Sequence, residues 1–240
     1  MLRYNSLSRR LSGTTAARLI LVLGLTGSST IAVAALDITR EEMSLLPRYC
    51  PYVEGSGNSG APGAPSPGAK PYVAMMGDNF WHIHHYCIGL VHRQRALRSN
   101  TPPPVRAFQL SEARSNYLYV TKHASKDFIL LPEIHTAIGE VELRLALPND
   151  ANQSFAKARA LKPDYWPAYS HWAEFLIRSG HAAEAKPLVR TGLEYSPNSR
   201  TLQEQYRHVG GKPSEIVPKK VQELPPGDAA GDTIDPPVVE

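Results

Sequence analysis

The 240-residue sequence predicts an all-α protein, and three observations carry that expectation. Apolar residues recur three and four positions apart through most of residues 78–210. No segment alternates apolar and polar residues for long enough to make a sheet strand. The chain also matches itself at an offset of 34: Pro163 pairs with Pro197, Ala151 with Ala185, Phe155 with Val189, Ile138 with Trp172 and Gly139 with Ala173.

Residues 1–34 contain Arg3, Arg9, Arg10 and Arg18 and no acid, and an uncharged stretch from Leu19 to Leu36 follows. Thr26, Gly27, Ser28, Ser29 and Thr30 interrupt that stretch, so it falls short of the roughly 20 apolar residues of a spanning helix. The small residues Ala32 and Ala34 suit a signal peptidase, so residues 1–34 read as an export signal cut near Ala34 or Ala35. Membrane contact is then expected only through an uncleaved leader. The chain has 26 Lys+Arg against 22 Asp+Glu, and removing the leader's four arginines leaves 22 against 22. A neutral remainder gives no electrostatic footprint for nucleic acid, which is excluded as a partner.

Residues 35–77 are expected to be irregular apart from one short helix. Asp37–Leu46 is that helix, opened by a capping box of Thr39 and Glu42 and stopped by Pro47. Residues 54–69 are a Gly/Pro/Ser-rich linker too poor in apolar surface to order itself. In an exported protein Cys50 and Cys87 would form a disulfide, stabilising by roughly 3–4 kcal/mol on the chain-entropy model. Two separate thiols are the alternative. The repeat domain spans residues 78–210. Its first long helix starts at Asp78 or Asn79 and runs to about Arg98, where Pro102, Pro103 and Pro104 forbid continuation. A second, Val105–Ala124, sets Leu110, Ala113, Tyr117, Val120 and Ala124 on one face; a third, Glu133–Ala146, does so with Ile134, Ala137, Ile138, Val141 and Leu145. Residues 211–240, with six prolines, three lysines and six acids, form an acidic, extended, disordered tail.

The internal match has a packing reason. Small residues at 139/173 and 151/185 let two helices cross closely, the larger residue at 155/189 fills the space between them, and the proline ends the second helix. Tyr169, Trp172, Ala173, Leu176, Gly180, Ala185, Val189, Gly192 and Pro197 stand at the signature positions of one unit. With them the chain resembles the tetratricopeptide repeat family. The preceding unit, about Pro132–Pro163, departs from the pattern: His135 replaces a large aromatic, Glu142 an apolar residue and Ala146 the turn glycine. The resemblance implies a short right-handed superhelix of stacked antiparallel helix pairs. A capping helix covers the last one, from Asn198 or Ser199 to His208 with Leu202 and Tyr206 inward.

The resemblance also implies a concave groove lined by the first helix of each pair. Carried over position by position, it would show Glu133, Thr136, Glu140 and Arg144 from one unit and Ser170, His171, Glu174 and Arg178 from the next. Such a mixed-sign surface suits an extended or helical peptide. The expected function is thus a protein–protein adaptor of an envelope or secretion assembly, in the periplasm or cell envelope. A second reading starts from Trp81-His82-Ile83-His84-His85-Tyr86-Cys87 and His92. On one helix His82 and His85 would share a face with His92 nearby, giving ligands for Zn or Cu and a metal-binding or metal-delivery role. No nucleophile elbow, zinc-protease helix or phosphate-cradling loop is present, so no enzymatic activity is expected.

Overall fold

The computed structural model describes residues 37–219, which are all-α apart from a two-strand turn of two residues each. The expected export signal, residues 1–34, and the expected tail beyond residue 219 lie outside the described residues. Among the described residues nine α-helices run in order: α1 Arg40–Ser44, α2 Lys70–Met76, α3 His84–Leu97, α4 Pro103–His123, α5 Leu131–Arg144, α6 Pro148–Leu161, α7 Pro167–Arg178, α8 Ala182–Tyr195 and α9 Arg200–His208. Helices α3/α4, α5/α6 and α7/α8 pack as consecutive pairs, and α9 lies against α7 and α8. None of the described helices is long and apolar enough to cross a membrane.

The expected capping box opens α1. Thr39 Oγ1 accepts from the Glu42 amide at 3.2 Å, and the Glu42 carboxylate accepts from the Thr39 amide at 3.1 Å. The same carboxylate is buried and takes both Arg95 Nε and an Arg95 amino group at 2.7 Å, with Arg98 beside them. These charged hydrogen bonds hold the Glu42 carboxyl at about 2, well below the usual carboxylate range. Cys50 and Cys87 are joined and both buried, so a covalent bond and an ion cluster fasten the N-terminal segment to the two ends of α3.

Four boundaries differ from the sequence expectation. The linker at 54–69 is ordered: β1 (Gly60–Ala61) pairs antiparallel with β2 (Ala64–Pro65), and Ser66 Oγ donates to the Asn58 carbonyl. The segment satisfies its polar groups locally and is held by a tyrosine cluster, Tyr49 and Tyr52 packing on Tyr72 of α2. Composition counts apolar surface and misses both contributions. The first long helix starts late: Gly77 at φ +58° ends a separate α2, a 3-10 turn, Gly77–Trp81, follows, and α3 begins at His84 instead of at Asp78 or Asn79. Pro103 and Pro104 begin α4 instead of preceding it, since proline at the first helical positions loses no hydrogen bond. Finally, residues 211–219 are not free tail. A 3-10 turn at Pro213–Glu215 brings Ile216 onto the α7–α9 core and Lys219 onto Glu194 and the Tyr195 ring.

Among the described residues the buried side chains form two apolar clusters. One joins the N-terminal segment, α3, α4 and α5 through Phe80, Ile83, Val91, Leu110, Tyr117, Ile134 and Ile138. The other joins α7, α8 and α9 through Tyr169, Leu176, Val189, Leu193 and Leu202. Between them Phe155 of α6 is fully buried against Gly139 of α5 and packs on Trp172 of α7, ring centroids 6.1 Å apart. The final cap forms as expected: Ser199 Oγ accepts from the Leu202 amide, Leu202 and Tyr206 are buried, and the Gly211 amide closes the helix on the Tyr206 carbonyl at 2.8 Å.

Candidate functional site

The eight residues carried over as groove-lining fall on α5 and α7, the first helices of two successive pairs, but they differ in what they can reach. Thr136 is buried and spends its hydroxyl on the Pro132 carbonyl at 2.9 Å. Ser170 is buried too, and its carbonyl accepts from Gln205 of α9 at 3.1 Å. Neither side chain is open to a partner, which corrects the expectation for both. Small hydroxyl residues at these positions let neighbouring helices approach.

Glu133 is committed to the fold as well. The Tyr86 hydroxyl of α3 donates to its carboxylate at 2.7 Å, and burial pushes the Glu133 carboxyl up. Burial likewise raises the hydroxyls of Tyr49, Tyr86 and Tyr117. Glu140 pairs with Arg93 of α3 at 2.8 Å and with His171 of α7 at 3.3 Å, so one carboxylate links three helices. Arg144 and the Glu174–Arg178 pair (3.3 Å) stand exposed at the far end of α5 and α7. The open part of this face is therefore Arg144, Glu174 and Arg178, with the half-exposed His171 at its edge.

Sequence reasoning missed Tyr49, Tyr86 and Arg93. They come from the N-terminal segment and from α3, a pair that does not fall in register with the repeat. Tyr49 and Tyr117 hydroxyls and Arg93 Nε are buried without a protein partner in this region. The only available signal was that Tyr86 precedes Cys87, whose bridge draws Tyr49 and Cys50 onto the same stretch of α3.

The expected metal ligands are not brought together. His82 caps the 3-10 turn and lies before α3, so it is not on a helical face with His85. His85 Nδ1 donates to Asn116 Oδ1 at 2.9 Å, and its ring packs at a tilt on Tyr119 of α4, centroids 3.7 Å apart. His92 is buried, with Nδ1 on Gln109 Oε1 at 2.6 Å. The late start of α3 takes His82 off its face, while His85 and His92 keep their helical spacing but each spends a ring nitrogen, on Asn116 and on Gln109. Among the described residues no three His, Cys, Asp or Glu side chains are assembled to hold a metal ion. A row of ring contacts joins the start of α3 to α4: His84 tilted on His85 (4.3 Å), His85 on Tyr119, Tyr119 stacked on His123 (4.0 Å) and His123 near His82 (5.9 Å).

Comparison with known proteins finds no matching family model, no matching curated sequence and no matching solved structure.

Proposed function

We propose that the chain is an adaptor of tetratricopeptide type, exported to the periplasm or cell envelope, that holds a segment of a partner protein against α5 and α7 during assembly of an envelope or secretion complex. The observation that carries the reading is the pair of stacked helix hairpins at residues 131–195, closed by α9 and leaving Arg144, Glu174 and Arg178 exposed on the first helices. Mixed charges on that face favour register and orientation of a polypeptide over tight burial. The leader-like N-terminus and the buried Cys50–Cys87 bridge favour an oxidising compartment. The second reading, a metal-delivery protein built on His82, His85 and His92, loses its support with the separation of those residues.

Photo-crosslinking in the full chain tests the adaptor reading. A photoreactive residue at Glu174 should give a discrete protein adduct in envelope extracts, while one at Glu184, exposed on α8, should not. Equal labelling at the two positions, or none at Glu174, overturns it.

A further inference from the structure

The 3-10 turn that displaces His82 from α3 brings it to a different neighbour. An open recess of about 420 Å³ lies between this turn and the chain leaving α4, lined by Asp78, Asn79, His82, His123, Ser125 and Asp127. Its walls are clasped across 46 residues of sequence. Asn79 Nδ2 donates to Ser125 Oγ at 2.9 Å, and the Ser125 amide donates back to Asn79 Oδ1 at 2.8 Å. Asn79 Nδ2 also donates to the Met76 carbonyl at 3.1 Å, which fixes the amide's orientation.

The chemistry of the two imidazoles points one way. His123 Nδ1 lies 2.8 Å from the Tyr119 carbonyl. A carbonyl only accepts, so Nδ1 carries the proton and Nε2 keeps its lone pair. Anchoring of one ring nitrogen by a backbone carbonyl is the arrangement that orients histidine as a metal ligand. The Tyr119 ring, stacked 4.0 Å away, restricts the His123 ring further. The His82 ring is 5.9 Å from it, on the facing wall.

We propose that His82 and His123 are the imidazole ligands of a zinc-class divalent transition-metal ion, with Asp127 or Asp78 supplying a carboxylate oxygen and water completing the site. Two nitrogens and one or two oxygens suit zinc, copper or nickel, and calcium or magnesium would ask for an all-oxygen set. The set is not preassembled: among the described residues no three such side chains lie ready around one ion, and Asp78 and Asp127 are exposed, so the third ligand would have to arrive by side-chain rotation. The rigid parts, the two clasped walls, need not move. This site shares only His82 with the set that the sequence suggested. It is independent of the adaptor reading, because the recess is formed by the first helix pair and not by α5 and α7.

Titration of the metal-stripped full chain with zinc chloride at pH 7.5, followed by calorimetry, tests the proposal. The wild type should take up one ion per chain with micromolar affinity. His82→Ala and His123→Ala should each weaken uptake at least tenfold, Asp127→Asn should weaken it several-fold, and His208→Ala, exposed on α9, should leave it unchanged. Cobalt(II) on the wild type gives a readout free of any folding effect: a visible absorption band of low-coordinate cobalt is expected. Absence of wild-type uptake, absence of that band, or undiminished zinc binding by a folded His82→Ala/His123→Ala double variant overturns the proposal.

Discussion

The pairs α5/α6 and α7/α8 solve one packing problem with different residues, and the exchanges are paired. In the first, Gly139 crosses under Phe155: a Cβ on that glycine would lie 2.8 Å from the ring. In the second, at the same two positions 34 residues later, Ala173 faces Val189. A methyl group added on one helix is matched by a ring removed from the other. The same trade occurs at the outer contact. Tyr169 and Leu202 press on Gly192, where a Cβ would lie 2.9 Å from both, and the first pair has His135 and Ala158 there. Volume is conserved across the pair, not at each site, as expected of interiors packed to crystal-like density.

The two pairs differ more deeply at 142/176. Leu176 is an ordinary core residue. Glu142, equally buried, takes Arg114 Nε of α4 at 2.8 Å and Ser154 Oγ of α6 at 2.7 Å, with Arg114 reaching on to Asp150 at 3.3 Å. The first pair is thus keyed to the helix before it by a buried, hydrogen-bonded charge, whereas the second has an apolar residue at that position and meets the helices before it through the more exposed Glu140–His171 contact and the Arg159 bond to the Ala168 carbonyl. A buried charge of this kind is costly to break from one side and adds specificity of docking more than stability.

The largest effect should come from upsetting the 139/155 trade. Gly139→Ala drives a methyl into a ring with no room to move and should cost about 3 kcal/mol, the upper end for overpacking. Adding Phe155→Val recreates the second pair's combination, so the double variant should unfold at higher denaturant than the sum of the two single losses allows. Strict additivity in that cycle would break the comparison.

A pH effect comes next. Burial, and secondarily Lys157, depresses the His135 imidazole to about 4. Because the folded state resists the proton, its stability is complete above the unfolded value near 6.5 and is lost as pH falls from there toward 4. Allowing for partial solvent access, denaturant titrations at pH 7 and 4.5 should show the wild type losing about 2 kcal/mol more than His135→Gln. Equal losses would remove His135 as the cause.

The smallest change sharpens the comparison at the turns. Both pairs close their first helix alike: the Leu147 amide reaches the Glu142 carbonyl at 2.9 Å and the His181 amide reaches the Leu176 carbonyl at 2.7 Å. The second uses Gly180 at φ +82°, but the first forces Ala146 to φ +59°, the only non-glycine residue at positive φ among those described. Ala146→Gly should therefore stabilise by about 1 kcal/mol, read as a higher melting temperature.

The regular half of the molecule was legible because its determinants are local and recur: small residues at fixed spacing, prolines at helix ends, a serine cap. What escaped depends on partners distant in sequence. Glu142 read as a departure from the pattern because Arg114, its partner, lies in the helix pair that does not follow the repeat. Residues 54–69 read as a linker because nothing in their composition announces the tyrosine cluster that receives them. The histidine face failed because residues 77–81 form a 3-10 turn instead of the first turn of α3, which sets His82 against another wall, and because Asn116 and Gln109 of α4 occupy His85 and His92.

One handling consequence follows from where the Cys50–Cys87 sulfurs lie. Both are sealed beneath the protein surface. A reductant added to the finished molecule should therefore act slowly, through local opening, whereas the same reductant present while the chain is still collapsing would leave residues 37–53 to be held by the Glu42 cluster and apolar packing alone. Production in an oxidising host and purification in ordinary thiol-containing buffer are compatible; the reverse order is not.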